Sequence, residues 1–498
     1  MKFNPLYGCA LAAMSCSHST EQPNILFVFV DDLGYADVGF NGSTFYETPN
    51  IDALASKSVI FENSYTYPTS SPSRTALLTG QQSFRTGVYT VPVLETGDAT
   101  SSIFSRWTVT KDFPYYSEVL SEQGYRNIHI GKWHLVGPYP DQELAMEYPL
   151  SEKLTQPDPA DFSWVERHKE DEIKLNYYPE GRGFEKNVAG TYRGDPALEV
   201  GGYKSETGGY HAPFSNPFIE QKPTDEWLTD RLTDEAIEFM SSNDDKPFFV
   251  NLHYYTVHAP FIKRSDELYE KYMEKEGDPV LGQGMEKGAR RKSAAAYASM
   301  IESLDDNFAR LIDYLEQSGK LDNTIIVFSS DNGYNMGANN KMRGKKRWIY
   351  EGGVRVPTFI YWKDQVAARR SETPISLLDY FPTFIDFAGV DSYQGLLDGN
   401  SLRPLLKGEA KEFEERPIYW QLSSECVHGT CTAMRQGDYK LIEFLATGQV
   451  ELYNLATDPL ESCNIAETES ETAEKMLTQM HQWRKANNVK LPQNAVVQ

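Results

Sequence analysis

The chain is short of positive charge, and this shortage excludes one large class of binding partner. Its 498 residues carry 48 lysines and arginines against 71 aspartates and glutamates, which gives a formal net charge of −23. A surface this acidic repels nucleic acid, so we expect no nucleic-acid partner. An anionic substrate is still compatible with the sequence if cationic side chains are concentrated in one pocket.

Cysteine is also scarce, with five residues in the whole chain. Three of them lie beyond the N-terminal region, at Cys426, Cys431 and Cys463. Cys426 and Cys431 flank a short turn-like segment and are close enough in sequence to form a disulfide in an exported protein. A zinc site is disfavoured, because no second Cys/His pair stands at ligand spacing.

Long apolar runs are absent beyond the N-terminus, so the sequence predicts no membrane-spanning helix. At the N-terminus, Lys2 precedes a short apolar stretch at 6–14, and Cys16 follows almost directly. This pattern is typical of a bacterial lipoprotein-type signal over residues 1–16, with a plain cleaved signal as the alternative. We therefore expect an exported protein of the periplasm or outer membrane, anchored there by a lipid on Cys16.

The rest of the chain predicts an α/β fold followed by a small second domain. Short apolar runs alternate with helical patterns, which indicates a large, mixed, mostly parallel sheet sandwiched by helices. The predicted strands lie at 24–30, 127–130, 247–252, 324–329 and 356–362, and a helix is expected over 375–388. We expect residues 17–410 to form this domain, with a linker at 398–408 and loops bordering a cleft at 161–217.

The pattern changes from about residue 411. Strands are predicted at 416–422, 432–445 and 449–455, and an amphipathic helix at 472–487. Residues 411–498 are therefore expected to form a C-terminal α+β subdomain, a small antiparallel sheet with one helix.

Acidic and amide side chains follow two of the predicted strands. Asp31 and Asp32 come after the strand at 24–30, and Asp331 and Asn332 come after the strand at 324–329. In open α/β sheets, ligands bind beyond the carboxyl ends of the strands. Four oxygen ligands there suit calcium or magnesium, although Asp-Asp-x-Gly and Asp-Asn-Gly are each also common turns.

A serine and several cationic residues complete the candidate site. Ser70 opens a predicted helix, where unpaired N–H groups favour an anionic group, and Arg74 follows four residues later. Ordinary helix capping explains that segment equally well when it is taken alone. Three further groups follow predicted strands or the loop after Asp331: Lys132 with His134, His258, and a basic run that contains Arg343, Lys345 and Lys346.

These motifs, in this order, resemble the formylglycine-dependent type I sulfatases of the alkaline-phosphatase superfamily, with a serine-type bacterial carbohydrate sulfatase as the nearest pattern. The resemblance runs from about Pro23 to the end of the chain. Its anchors are Asp31-Asp32-Leu33-Gly34, Ser70-x-Pro-Ser-Arg74, Gly131-Lys-Trp-His134, His258-Ala-Pro260, Asp331-Asn-Gly333, Tyr350-Glu-Gly-Gly-Val-Arg355 and Glu451-Leu-Tyr-Asn-Leu455.

The resemblance implies that Ser70 is modified. In this family the residue at that position is oxidised to formylglycine (3-oxoalanine), whose hydrate is the nucleophile, and serine implies an anaerobic sulfatase-maturing enzyme as a partner. It also implies one calcium ion, held by Ser70 and the strand-end residues Asp31, Asp32, Asp331 and Asn332.

The resemblance also implies roles for the other site residues. Asp331 would act as a base, and Arg74, Lys132 and Lys346 would stabilise the hydrate and the sulfate oxygens. His258 together with Lys346 would protonate the leaving alcohol, and His134 would help to expel sulfate. The family usually has glycine where this chain has Arg347, so Lys345 remains an alternative to Lys346.

Other residues are assigned from position alone. His211, Arg343 and His428 are candidate substrate contacts. His129 is expected to be a hydrogen-bonded core residue, and His253 to be either packing or cleft.

The resemblance therefore implies hydrolysis of a sulfate ester. The export signal and the aromatic-rich insertion together favour a saccharide as the substrate. The alternatives are a phosphomonoester or phosphonate-ester hydrolase on the same scaffold, and a non-catalytic sulfated-glycan-binding lipoprotein in which Ser70 stays unmodified.

Overall fold

The fold was analysed in a computed structural model, which describes residues 22–154, 162–168, 176–196, 207–222, 225–242, 246–277, 287–336, 342–409, 413, 416–423 and 429–497. The expected signal at 1–16 lies outside these residues, as do Cys426 and His428 and therefore the expected Cys426–Cys431 pairing. In the described part of the chain, no helix combines the length and the apolar character that crossing a membrane requires.

Sixteen strands are described. They are β1 (Asn24–Val30), β2 (Val59–Phe61), β3 (Ser64–Tyr65), β4 (Arg126–Gly131), β5 (Lys186–Val188), β6 (Thr207–Gly208), β7 (His211–Phe214), β8 (Phe248–His253), β9 (Thr324–Ser330), β10 (Phe359–Trp362), β11 (Arg369–Ser371), β12 (Ile375–Ser376), β13 (Ile418–Leu422), β14 (Cys431–Gln436), β15 (Tyr439–Phe444) and β16 (Gln449–Asn454).

The described α-helices connect these strands or cover them. They are α1 (Pro49–Ala55), α2 (Ser70–Thr79), α3 (Ser83–Thr86), α4 (Tyr116–Glu122), α5 (Pro140–Leu144), α6 (Ser163–Arg167), α7 (Leu228–Met240), α8 (Asp266–Glu274), α9 (Lys287–Gln317), α10 (Glu351–Val354), α11 (Tyr380–Phe387), α12 (Arg403–Leu406) and α13 (Ser470–Ala486).

The large sheet has eight strands in the order β11-β2-β10-β9-β1-β8-β4-β5. Its central pairs β9-β1, β1-β8 and β8-β4 are parallel, whereas β10 runs antiparallel to both of its neighbours. Alternate residues of β1 face opposite sides, so Leu26 and Val28 pack in one apolar core and Phe27 and Phe29 in the other. The predicted mixed, mostly parallel sheet between two helical layers is confirmed.

Three local expectations are corrected by the structure. The segment 375–388 is not one helix, because it begins with the short strand β12 and α11 starts only at Tyr380. The Ser376 side chain caps the turn at 377–379 and so delays the helix. The segment 161–217 is not loop alone, since it supplies β5 as the edge strand of the large sheet. The expected linker at 398–408 contains α12, packed on the core through Leu405 and Leu406, so it is not a free connection.

The C-terminal sheet packs directly against the segment that leads into α2. Its four strands are antiparallel in the order β13-β14-β15-β16, and α13 covers its outer face. On the inner face, the Trp420 indole N–H donates to the Thr66 carbonyl oxygen at 2.9 Å, and its ring packs edge-on against Tyr65. This face therefore supports the chain four residues before Ser70.

Replacing Trp420 tests that support. Trp420→Ala is expected to lower the free energy of unfolding by about 3–5 kcal/mol, because it removes a fully buried indole. Trp483→Ala is the control, since Trp483 is half-buried and stacks on Tyr419 on the outer face; we expect it to cost about 1–2 kcal/mol. Urea denaturation measures both values, and equal losses would contradict the supporting role of the inner face.

Candidate active site

Two adjacent strands place four polar side chains at the same sheet edge. Strands β1 and β9 are parallel and in register, with Val30 opposite Ser330, so the residues that follow them are neighbours. The Asp32 backbone N–H donates to the Asp331 carboxylate at 3.1 Å, and the Asn332 side-chain amide donates to the Asp32 carboxylate at 2.8 Å. Asp31 and these three residues are all fully buried.

Ser70 reaches this cluster from the N-terminus of α2. Thr69 is extended and the helix starts at Ser70, as the sequence predicts. The Ser70 hydroxyl oxygen lies 3.4 Å from Asp31 Oδ1 and 3.3 Å from Asn332 Oδ1. The helix N-terminus, the serine and the strand-end oxygens therefore converge on one point.

Lys132 joins Ser70 to the acidic cluster. It follows β4, and its ammonium group donates to Asp31 Oδ2 at 2.7 Å and to the Ser70 hydroxyl oxygen at 3.1 Å. Both charged groups are fully buried. Burial raises the pKa of Asp31 well above its usual range and lowers the pKa of Lys132, because each charged form loses its hydration.

Arg74 neutralises the second strand end. One turn into α2, its Nε and Nη2 donate to the same Asp331 oxygen at 3.2 and 3.0 Å. Burial opposes ionisation of Asp331, but Arg74 and then Lys132 outweigh it and hold the pKa of this carboxyl below its usual range. Asp331 is therefore a carboxylate at neutral pH, as a base requires.

Lys346, and not Lys345, lies at the acidic cluster. The Lys346 ammonium lies 2.7 and 2.9 Å from the two Asp32 oxygens, whereas Lys345 is exposed. The following residue, Arg347, has φ +76°, a left-handed conformation that costs a non-glycine residue about 1 kcal/mol or more. The left-handed conformation explains why glycine suits position 347. The contact between Lys346 and Asp32 shows that an arginine at that position does not displace Lys346.

The two predicted catalytic histidines lie at the same edge but differ in their contacts. His258 Nε2 lies 3.8 Å from Asp32 Oδ2, and its Nδ1–H donates to the Ala259 carbonyl oxygen. Burial and then Lys346 lower the pKa of His258 to about 3. His134 is buried at φ +61°, and its Nδ1 has no hydrogen-bond partner within the described part of the chain.

Two further histidines lie behind the site. His253 Nδ1 accepts from Arg74 Nη1 at 3.0 Å and so helps to orient that guanidinium, a contact that the sequence does not reveal beyond the position of His253 at a strand end. His129 is the expected core residue, because Nε2–H donates to the Gly131 carbonyl oxygen at 3.2 Å and Nδ1 accepts from Asn251 at 3.0 Å.

Two of the three predicted substrate contacts, His211 and Arg343, have their described contacts with Trp227 and with the C-terminal sheet. His211 lies on β7 with its ring edge-on to Trp227. Arg343 turns to the C-terminal sheet, where its guanidinium donates to the Tyr453 hydroxyl at 2.6 Å. His428 lies outside the described residues.

The donor atoms fit a hard divalent cation. Three carboxylates, one amide oxygen and one hydroxyl oxygen meet at this edge, and oxygen-only sets of this kind suit calcium. In the protein alone, Lys132, Arg74 and Lys346 balance the three carboxylates. Burial raises the pKa of Asp31, so a further positive charge beside it would stabilise its carboxylate.

Comparison with known proteins agrees with this fold. The family model described as "Sulfatase" matches residues 23–390, and the model "N-sulphoglucosamine sulphohydrolase, C-terminal" matches residues 344–487. A "Sulfatase" of Formosa agariphila is 27% identical, covering 97% of this chain and 93% of its own length. The N-acetylglucosamine-6-O-sulfatase of Bacteroides thetaiotaomicron is also 27% identical, with coverages of 93% and 88%.

A solved structure extends the likeness to three dimensions. The crystal structure of Ps i-CgsB in complex with k-i-k-neocarrahexaose has a TM-score of 0.69 and 26% sequence identity, over 93% of each chain. The fold is thus the alkaline-phosphatase-like fold of these enzymes. The chain belongs to the sulfatase family, and the relatives are sulfuric ester hydrolases.

The buried His129 gives a pH-dependent prediction. Burial and then Arg74 lower its pKa to about 3, against about 6.5 in an unfolded chain, so the stability it contributes is present above pH 6.5 and is lost as the pH falls. Between pH 7 and pH 5 this one group should cost about 2 kcal/mol. Between pH 7 and pH 5, the free energy of unfolding of His129→Gln is expected to fall by about 2 kcal/mol less than that of the parent, as measured by urea denaturation. The same pH dependence in both proteins would refute a neutral His129.

Proposed function

We propose that the protein hydrolyses sulfate esters of a saccharide, using a formylglycine made from Ser70 and one calcium ion. The observation that carries the proposal is the position of the Ser70 hydroxyl at the meeting point of the α2 N-terminus, Lys132 and the strand-end oxygens. The saccharide is supported by the relatives, one named an N-acetylglucosamine-6-O-sulfatase and one solved with a neocarrahexaose.

Serine itself is a poor nucleophile at this place. Its neighbours are Lys132, which donates a hydrogen bond to it, and carboxylates that are already paired with cations. Formylglycine supplies, as its hydrate, an oxygen nucleophile of lower pKa. Oxidation of the Ser70 side chain to the aldehyde removes two hydrogens, that is two protons and two electrons. We propose an anaerobic, radical-type sulfatase-maturing enzyme as the partner that catalyses this step and whose redox cofactor accepts the electrons.

Calcium fits the same oxygens. Asp31, Asp32, Asp331, Asn332 and the modified Ser70 would hold it, and when bound it supplies positive charge that offsets the charge of the sulfate group. The chain itself adds Lys132 beside position 70 and Arg74 on Asp331, which keeps that carboxylate ionised as the proposed base.

Lys346 and His134 are the groups proposed for the proton transfers. Burial opposes charge on Lys346, but Asp32 outweighs it and raises the pKa of that ammonium, so Lys346 carries the proton proposed for the leaving alcohol. His258 was expected to share this donation, but its pKa is lowered to about 3 and its Nδ1–H bonds to the Ala259 carbonyl oxygen, so its Nε2 carries no proton in the resting protein and the donation is proposed for Lys346. His134, whose Nδ1 is unpaired in the described structure, is the proposed group for release of sulfate.

We also propose that the protein is exported by a bacterium. The signal-like residues 1–16 and Cys16 support a periplasmic or outer-membrane lipoprotein, anchored by its lipid.

The direct test is sulfate release from a panel of sulfated mono- and oligosaccharides, with the formylglycine content of the enzyme confirmed beforehand. Release from at least one saccharide supports the proposal. Release from none, by fully modified enzyme supplied with calcium, would defeat the saccharide assignment, and a parallel panel of phosphate esters reports the alternative chemistry.

Ser70→Ala tests the nucleophile. We expect turnover to fall below detection, while the free energy of unfolding falls by only about 1–2 kcal/mol, because the small side chain loses one hydrogen bond from Lys132 and that ammonium stays paired with Asp31. Sulfate release and urea denaturation measure the two quantities. Retained turnover would show that the nucleophile has been misassigned.

The neighbouring lysines provide a matched pair of variants. Lys346→Met is expected to lower kcat/KM by about 10²–10⁴-fold, because it removes the ammonium that lies on Asp32 and is the proposed proton donor. Lys345→Met should stay within about 3-fold of the parent, since Lys345 is an exposed lysine without a role in the proposed proton transfer. Steady-state kinetics decides, and a larger loss for Lys345→Met would reverse the assignment.

A further inference from the structure

The segment that carries Lys346 has its own fixed backbone, and we call residues 343–350 the Lys346 loop. The loop is closed by hydrogen bonds from the Gly352 N–H to the Arg343 carbonyl oxygen at 2.8 Å and from the Lys346 N–H to the Tyr334 carbonyl oxygen at 2.9 Å. A Cβ added to Gly353 would lie 2.1 Å from the Trp348 carbonyl oxygen, so only glycine permits this close packing. The loop is thus built as a tight turn against the start of α10.

Side chains of the C-terminal sheet hold the start and end of this loop together. The Arg343 guanidinium donates to the Tyr453 hydroxyl at 2.6 Å and to the Tyr350 hydroxyl at 3.0 Å. Both tyrosine hydroxyls in turn donate to the same Glu451 carboxylate oxygen at 2.8 Å. Tyr453 and Glu451 lie on β16, whereas Arg343 and Tyr350 are the first and last residues of the loop.

A second, fully buried set fixes the residue after the loop. The Lys440 ammonium lies 3.0 Å from Glu351 Oε1 and 3.0 Å from Glu461 Oε1. Glu461 also accepts the Glu351 backbone N–H at 2.7 Å, and Tyr65 donates to the second Glu351 oxygen. Because removing either partner of a buried ion pair is costly, these contacts resist rearrangement.

The sulfate-hydrolysis scheme uses none of the residues in these two sets. The hydrogen bonds described above join these residues to one another and to the Glu351 backbone, and none of those bonds involves Ser70 or the strand-end carboxylates. Lys346, by contrast, has a long flexible side chain whose ammonium must stay on Asp32. A fixed backbone limits where that ammonium lies, in addition to its contacts with Asp32.

We propose that the C-terminal sheet positions Lys346, with Tyr453 and Lys440 as positioning residues that act through the loop. The expected effect of this positioning on turnover rests on the proposed function, whereas its expected effect on the backbone of the Lys346 loop does not. Tyr453→Phe is the informative variant, because it removes one hydroxyl and leaves the ring in place. Tyr419→Phe is the matched control, from the same sheet but facing α13, where its ring stacks on Trp483.

The first measurement is hydrogen exchange of the unmodified chain, which needs no turnover. Tyr453→Phe is expected to speed exchange of the Lys346, Trp348 and Gly352 amides by about 10-fold, because the loop opens more often. Tyr419→Phe should leave these amides unchanged. Unchanged exchange in Tyr453→Phe, or an equal increase in both variants, would overturn the proposal.

The second measurement uses the modified enzyme and any sulfate ester that it hydrolyses. We expect Tyr453→Phe to lower kcat by about 10-fold with KM changed less than about 2-fold, and to have no further effect in a Lys346→Met background. An equal loss in both backgrounds would show that Tyr453 acts elsewhere and would overturn the proposal. If the parent enzyme releases no sulfate, the proposed function fails while the exchange result still decides the positioning role.

Discussion

The structure depends on the burial of three carboxylates at the ends of two adjacent strands. Asp31, Asp32 and Asp331 are fully removed from water, which is tolerable only if positive charge lies beside them. Lys132, Lys346 and Arg74 provide that charge, one cation beside each carboxylate, while burial still raises the pKa of Asp31. A cation bound at this edge would stabilise the ionised form of Asp31 further.

This constraint organises the surrounding chain. Helix α2 must begin at the sheet edge so that Ser70 and Arg74, one turn apart, can reach different carboxylates. The C-terminal sheet is packed against both the segment before Ser70 and the loop that carries Lys346. The C-terminal sheet contributes none of the strand-end oxygens, yet it packs against two segments that carry candidate site residues.

Sequence reasoning succeeded where chemistry follows directly from local pattern. Asp31 and Asp331 each follow an apolar run that could only be a buried strand, and parallel register then makes them neighbours. It failed where geometry depends on distant packing: Arg343 bonds to Tyr453, 110 residues away, which no local pattern encodes. The edge strand β5 was missed for the same reason, since three residues become a strand only by pairing with β4.

The central claim is that Ser70 is a precursor of the nucleophile, placed among oxygens that would hold calcium. The most direct test is the mass of the Ser70 peptide from protein purified from its native host under anaerobic growth. The account predicts loss of two hydrogens, about 2 Da, in the fraction of molecules that releases sulfate. An unmodified serine in protein that hydrolyses sulfate esters would contradict it.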